Sequence, residues 1–214
     1  MDGPPFPQWL DRARPAAAVF LVALPLYVVA VAYYGGSPRT TDVGYAPEQP
    51  VAYSHALHAG QLGLDCRYCH VNVEDSAHAM VPPTQTCMNC HARILPDGTK
   101  LAAVRESAQK GTSIRWVRVH DLPDYVYFDH RAHVSRGVGC ASCHGRVDRM
   151  ERVEQVERLS MGWCLECHRN PAPHLRPLEL ITAMDWQADE PGLGERLQRL
   201  NNVLPSTDCS TCHR

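Results

Sequence analysis

The most pronounced pattern in the chain is a long apolar run near the amino terminus. From Ala16 to Tyr34 the sequence has 19 consecutive uncharged residues. At about 1.5 Å per residue, a helix of this length crosses roughly the 30 Å hydrocarbon layer of a membrane. Trp9 on one side and Tyr34 on the other are suited to the two interfaces. Arg12 and Arg14 precede the run, so the amino terminus is predicted to stay in the cytoplasm.

A cleaved secretory signal is the alternative interpretation of the same run. Ala30, Val31 and Ala32 resemble a cleavage site. We favour a retained signal anchor, and both interpretations export the remainder of the chain. The expected organisation is a cytoplasmic segment over 1–15, a single transmembrane helix over 16–34, a linker over 35–50 and an extracytoplasmic domain over 51–214 at the cell inner membrane.

The exported part shows weak periodicity broken by proline-rich joints, so mostly coil and short helices are expected, with few strands. Met150, Val153, Val156 and Leu159 recur at helical spacing, which predicts a helix over 149–160. Three further elements are predicted: helices over 101–110 and 193–204, and a short strand over 114–120.

The charge of the chain serves mainly to exclude one class of partner. There are 21 basic and 23 acidic side chains, for a net charge of −2, so no basic surface indicates a nucleic-acid partner. Lys100 and Lys110 are the two lysines, and the other basic residues are arginines. Arginine holds carboxylates in a bidentate manner, which would suit a protein with cofactor propionates. Genomic base composition explains the same bias equally well.

The cysteines identify the chemistry of the exported part. All ten fall into five Cys-x-x-Cys-His motifs: Cys66, Cys69, His70; Cys87, Cys90, His91; Cys140, Cys143, His144; Cys164, Cys167, His168; and Cys209, Cys212, His213. Two thiols three residues apart can bind both vinyl groups of one haem, and the adjacent histidine then lies beneath the iron. Structural zinc is the alternative for an isolated pair. Five histidines in five motifs favour five covalently bound c-type haems, whose macrocycles would form much of the core.

Seven histidines remain outside the motifs, enough to supply a second ligand to every iron. Four of them lie in two similar segments, YSHALH at 53–58 and FDHRAH at 128–133. Each segment is followed by two attachment motifs. The chain therefore has the pattern of an internal duplication, 53–91 and 128–168, with a fifth motif appended.

The aromatic-x-His-x-x-His segments resemble those of class III multihaem cytochromes. That resemblance implies that each segment donates its two histidines to two different haems, which makes His55, His58, His130 and His133 the distal ligands. For the fifth distal ligand we favour His120, because it lies between a predicted strand and a turn that could present it inward. His78, His174 and Met161 remain alternatives.

A longer resemblance covers most of 51–177. The runs RWVRVHDLPDYVYFDHRAHVSRGVGCASCHGRVDRM, LSMGWCLECHRNP and PPTQTCMNCH resemble the pentahaem cytochrome c subunit of alternative complex III, the ActA type. The resemblance implies a fold of coil and short helices around a multihaem core. It also implies that electrons arrive from quinol-binding integral membrane subunits through an iron–sulfur subunit. They would leave to a monohaem cytochrome c or an oxidase.

An electron relay and an enzyme differ in whether every coordination position of each iron is filled. A catalytic multihaem reductase needs one iron with an open position. Here every motif ends in histidine, and the spare ligands suffice to close all five irons, so no catalytic residue is expected. A tethered multihaem quinol dehydrogenase is the main alternative, and a multihaem anion reductase is a more distant one.

Overall fold

The computed structural model describes residues 7–35 and 41–213. The chain divides into two compact units, Met1–Asp42 and Val43–Arg214. Residues 1–6 and 36–40 lie outside the described part, so the predicted cytoplasmic segment and the predicted linker are described only in part.

Helix α1, Gln8–Gly35, dominates the first unit. It contains Pro15 and Pro25 without interruption. Within it, Trp9–Gly35 has a mean hydropathy of 2.3 and is long and apolar enough to cross a membrane. The helix therefore contains the predicted span and extends it at its amino-terminal end.

The second unit consists of coil and short helices. Its α-helices are α2 Cys66–Cys69, α3 Thr84–His91, α4 Ala102–Lys110, α5 His130–Val134, α6 Ala141–His144, α7 Met161–Arg169, α8 Leu193–Leu200 and α9 Cys209–Cys212. A π-helix covers Ala56–Gln61, and 3-10 turns cover Thr99–Leu101, Val147–Arg149, Ala172–His174 and Leu178–Leu180. In the described part, β pairing is limited to isolated bridges, Val126 with His213 and Val138 with Leu175. The predicted class, mostly coil and short helix, is confirmed.

The prediction of a helix over 149–160 is wrong. After the 3-10 turn that ends at Arg149 the chain is extended, and the Gln155 backbone N–H donates to the Tyr45 carbonyl at 3.1 Å. The Gln155 carbonyl accepts from Gly44 at 2.8 Å. Leu159 has a positive φ of 50°. Pairing with a distant segment has therefore replaced the helical bonds that the apolar spacing predicted.

The predicted strand over 114–120 is also absent, because a side chain takes the place of a neighbouring strand. Gln49 Nε2 donates to the Val117 carbonyl at 2.8 Å, and Gln49 Oε1 accepts from the Val117 backbone N–H at 2.9 Å. β-branched residues therefore lie in an extended segment that has no strand partner of its own.

The other two predicted helices are present with shifted ends. α4 begins at Ala102 after a 3-10 turn and ends at Lys110, where Gly111 adopts φ 64°. α8 ends at Leu200 rather than at 204. Asn202, with φ 49°, takes the left-handed conformation that stops a helix.

The hydrophobic core of the second unit is small. Its main cluster contains Leu175, Leu193, Leu197 and Val203, with Val138 and Trp186 packed against it. In the described part only nine hydrophobic residues are buried. Such a sparse side-chain core indicates that other apolar material has to fill the interior.

Candidate functional site

Each attachment motif lies on a single helical turn. In α2, α3, α7 and α9 both thiols belong to the helix, and in the third motif Cys140 is the N-cap of α6 with helical φ and ψ. Residues three apart on a helix share a face. The two thiols of each motif are therefore presented together, and all ten cysteines are free.

The first motif is fixed by a charged cap. Asp65 is the N-cap of α2, and its carboxylate accepts from the Arg67 backbone N–H at 2.8 Å and from Arg67 Nε at 2.9 Å. Thr182 donates to the other carboxylate oxygen at 2.9 Å. The hydrogen bond from the Arg67 side chain lowers the pKa of Asp65 to about 2. The cap thus joins α2 to the segment that follows the fourth motif.

The histidines of the motifs are oriented through Nδ1. In four of them Nδ1 lies within hydrogen-bonding distance of a backbone carbonyl oxygen: His70 to Met80 at 2.7 Å, His91 to Ile94 at 3.0 Å, His168 to Ser206 at 2.7 Å and His213 to Tyr125 at 3.2 Å. A carbonyl can only accept, so Nδ1 carries the proton in each. Nε2 is therefore left unprotonated, as metal ligation requires.

Three of the histidines predicted as distal ligands have the same arrangement. Nδ1 lies 2.8 Å from a backbone carbonyl oxygen in each: His58 to Ser54, His130 to Ala77 and His133 to Asp129. Seven of the ten predicted ligand histidines thus present a free Nε2.

The structure brings three predicted proximal histidines to predicted distal ones. The ring centroids are 6.1 Å apart for His58 and His91, 6.3 Å for His130 and His144, and 6.1 Å for His133 and His168. Two imidazoles that bind one metal on opposite faces have centroids about 6 Å apart, since each metal–nitrogen bond is about 2 Å. All three separations match that value.

His55 is placed next to His70. Burial, followed by the proximity of His70 and then His58, lowers the pKa of His55 to about 4. Its Nδ1 atom is buried and has no hydrogen-bond partner among residues 7–35 and 41–213. A half-buried, neutral His55 next to His70 matches the pairing of His130 with His144, the equivalent histidines of the second repeat.

The two aromatic-x-His-x-x-His segments have the same ring geometry. Tyr53 stacks on His58 and Phe128 stacks on His133, both with centroids 4.5 Å apart. The same aromatic rings meet His55 and His130 edge-on at 4.8 Å. The aromatic residue therefore separates two imidazoles of its segment, which lets them face different motifs.

His120 lies against His144. The two centroids are 4.4 Å apart with nearly perpendicular rings, and His120 Nε2 is 3.4 Å from His144 Nδ1. Burial, and then the proximity of His120, lowers the pKa of His144 to about 3. His120 therefore meets the edge of His144 that faces away from the Nε2 atom needed for ligation.

The fifth motif lacks a distal histidine in these contacts. The ring contact of His213 is with Tyr125, at 5.9 Å. Of the remaining candidates, His78 is exposed, His174 is half-buried and Met161 is 66% exposed. His120 as the fifth distal ligand remains a prediction, as do these three alternatives.

The residues present fit haem. The facing histidines have the separation that a shared iron requires, their Nδ1 atoms are already bonded, and the thiol pairs lie on the adjacent helical turns. Among residues 7–35 and 41–213, no group of three or more cysteine, histidine or acidic side chains converges on a point.

The sequence analysis did not identify Arg176 as a buried cation. Its side chain is 7% exposed, Nη1 donates to the Ala183 carbonyl at 2.6 Å, and the guanidinium lies 5.1 Å from the Trp186 ring centroid. Its Nε has no hydrogen-bond partner in the described part. Arg67 and Arg146, by contrast, are paired with carboxylates of the chain. A buried cation of this kind has no signal in the sequence, because its burial depends on Gly139 leaving room beside it.

Comparison with known proteins supports a cytochrome. Residues 126–214 match the family described as "Cytochrome c7 and related cytochrome c". A "Menaquinone reductase, multiheme cytochrome c subunit" from Nitratidesulfovibrio vulgaris is 36% identical over 98 residues, which are 45% of this chain and 46% of the relative. The chain spans about half the length of the curated relative it matches. Residues 126–214 are therefore similar to multihaem cytochromes c, a family that binds c-type haem covalently.

Proposed function

We propose that this chain is a membrane-anchored pentahaem c-type cytochrome, an electron-transfer subunit rather than an enzyme by itself. It would relay electrons from a quinol-oxidising membrane complex to a downstream cytochrome c or an oxidase. The observation that carries the proposal is the set of facing histidine pairs with centroids 6.1 to 6.3 Å apart. At these three sites the paired histidines would hold an iron on both faces, which would suit electron transfer and would leave no position for substrate.

The ligand assignment follows the contacts. His91 pairs with His58, His144 with His130 and His168 with His133, while His70 has His55 beside it. His213 is the proximal ligand of the fifth site. When bound, haem c supplies an iron that takes up and releases one electron.

The chain's own residues hold the ligands in one tautomer. Backbone carbonyls accept from Nδ1 and so keep Nε2 directed at the iron. At His144 the atom opposite Nδ1 is Nε2 of the His120 imidazole, at 3.4 Å, and a His144 that binds iron through its own Nε2 would donate to it. Hydrogen bonding at Nδ1 raises the basicity of a ligand, so in this assignment His120 is a positioning residue for the third site, and the fifth distal ligand would be His78, His174 or Met161.

The partners are proposed from resemblance. By likeness to the ActA type, an iron–sulfur subunit and quinol-binding integral membrane subunits would deliver electrons. A single apolar helix is a suitable anchor but supplies few groups with which to manage quinol protons. With that helix in the inner membrane, the haem domain would lie on the periplasmic side.

A second candidate follows from the name of the relative. That protein is a subunit of a menaquinone reductase, so this chain could pass electrons towards menaquinone instead of away from quinol. The fold and ligands would be the same in both cases. The direction is set by the partner subunits and the potentials.

The experiment that tests the proposal is quinol oxidation by the purified holoprotein, with and without its partner subunits. The isolated chain should accept electrons from reduced partners and should not oxidise quinol. Steady-state quinol oxidation by the chain alone would overturn the relay and identify a quinol dehydrogenase. A pyridine haemochrome assay on the same sample should give five haems per chain.

A further inference from the structure

The first and second attachment sites are neighbours. Asn89 Nδ2 in α3 donates to the Tyr68 hydroxyl in α2 at 3.1 Å. The histidines that face these two sites, His55 and His58, are three residues apart at the start of the π-helix.

The first and third sites also meet. The Cys140 backbone N–H donates to the Ile181 carbonyl at 3.0 Å, and the next residue, Thr182, donates to Asp65 at 2.9 Å. One short segment therefore holds the beginnings of both motifs together.

The third and fourth sites are joined by α5, which carries His130 and His133 on one turn. His130 faces His144 of the third motif with ring centroids 6.3 Å apart, and His133 faces His168 of the fourth motif at 6.1 Å. The third site thus has the first site on one side and the fourth on another.

The fourth and fifth sites complete the series. His168 Nδ1 donates to the Ser206 carbonyl at 2.7 Å, three residues before Cys209. The loop that leads into the fifth motif is therefore the acceptor that orients the fourth motif's histidine.

Exposure agrees with this series. Cys90 of the second motif and Cys209 of the fifth motif are exposed, while the other eight cysteines are half-buried.

Resting on the proposed function, we propose that electrons cross this chain along the spatial series second, first, third, fourth, fifth, in the direction that the partners set, and that the second and fifth sites exchange electrons with partners. Each transfer oxidises one site and reduces the next by one electron, and no bond forms or breaks. The donor is a reduced partner of the quinol-oxidising class, and the acceptor is a cytochrome or an oxidase. The spatial order differs from the order along the chain by the exchange of the first two motifs.

The test is an electron cryomicroscopy structure of the full-length holoprotein in its membrane complex, with every iron–iron distance measured. We expect each iron to have its nearest neighbours along the series second, first, third, fourth, fifth. We also expect the nearest partner cofactors to lie beside the second and fifth irons. An iron of the second site that is closer to the third or fourth iron than to the first would overturn the order. A partner cofactor nearest to the third iron would overturn the assignment of the ends.

The same sample separates this failure from a failure of the proposed function. Five irons with two axial ligands each, in another spatial order, would leave the relay standing and remove the order. Fewer than five haems, or an iron with an open position, would remove the relay itself whatever the order.

Discussion

The hydrogen bond at Nδ1 determines the tautomer and the ring orientation of each predicted ligand histidine that makes one. Its acceptors are backbone carbonyls at both short and long sequence separation: Ser54 is four residues from His58, whereas Ser206 is 38 residues from His168. The proximal ligands can be predicted from the sequence, because each is the histidine that follows the second cysteine of its motif. The carbonyl that accepts from Nδ1 cannot be predicted, because any carbonyl can accept and only the fold determines which one lies close.

Replacing His120 tests its role at the third site. In His120→Phe, His144 loses the acceptor at Nδ1, so its imidazole becomes a weaker donor to iron and the reduction potential of one haem should rise. All haems should remain low-spin. A spectropotentiometric titration, together with the spectrum of the reduced variant under carbon monoxide, measures both.

Binding of carbon monoxide by His120→Phe would identify the distal ligand of the fifth site. If His120 were the fifth distal ligand, His120→Phe would open one iron, and one haem per chain would bind carbon monoxide. The matched variants His78→Phe, His174→Phe and Met161→Leu should include the one that does open an iron.

Removing the Asp65 carboxylate tests the charged cap of the first motif. Asp65→Ala should lower the free energy of unfolding by about 1 kcal/mol at neutral pH, the usual cost of losing an N-cap. The folded pKa of about 2 lies below the unfolded value of about 3.9. The stabilisation is therefore complete above about pH 4 and disappears as the pH falls towards 2. Guanidinium denaturation at several pH values measures this dependence.

Asp208→Ala is the matched control, because Asp208 is the N-cap of α9 but its side chain makes no cap hydrogen bond to the helix. Its effect should be smaller and nearly independent of pH. Equal losses for the two variants would show that the Asp65 carboxylate contributes nothing specific.

At the level of elements, the sequence pattern predicted a helix correctly where the backbone hydrogen bonds stay within the helix. The prediction failed where the backbone bonds to a distant segment of the chain. α4 is predicted well because Gly111 ends it locally with φ 64°. The segment 149–160 has equally regular apolar spacing, but Gln155 bonds to Tyr45 and Gly44 instead. The π-helix at Ala56–Gln61 was also beyond prediction, since its sequence ALHAGQ is compatible with an ordinary helical turn.

Two glycines test the packing of the short helices, because each is the second residue of its helix. A Cβ on Gly194 in α8 would overlap the Ala172 carbonyl, whereas a Cβ on Gly162 in α7 would meet no heavy atom within 4 Å. Gly194→Ala should destabilise the protein by about 1–3 kcal/mol through overpacking. Gly162→Ala should be neutral or stabilising by up to about 1 kcal/mol. Thermal denaturation of both variants makes the comparison, and a stabilising Gly194→Ala would contradict the packing of α8 against Ala172.

The two histidine-bearing segments should respond alike to the same substitution. His133→Met and His58→Met each replace one predicted distal imidazole with a thioether, which raises the reduction potential of the haem it binds. Each variant should shift one haem, facing His168 and His91 respectively. Potentiometry resolves the shift, and a variant that leaves every potential unchanged would show that its histidine is not a ligand.

For the molecule as a whole, the number and spacing of the motifs predicted the class of domain before any contact was known. The small side-chain core agrees with that prediction, since only nine hydrophobic residues of the described part are buried. The spatial series of the sites was not predictable. It depends on contacts such as the hydrogen bond from Thr182 to Asp65, which are 117 positions apart in the sequence.

The most direct test of the central claim is the difference spectrum of the dithionite-reduced holoprotein with and without carbon monoxide. If all five irons are closed on both faces by the chain's own ligands, the spectrum should show no carbon monoxide adduct at any haem. A stoichiometric adduct at one haem of the unmodified protein would reveal an iron open to small molecules, and the chain would then have to be considered an enzyme.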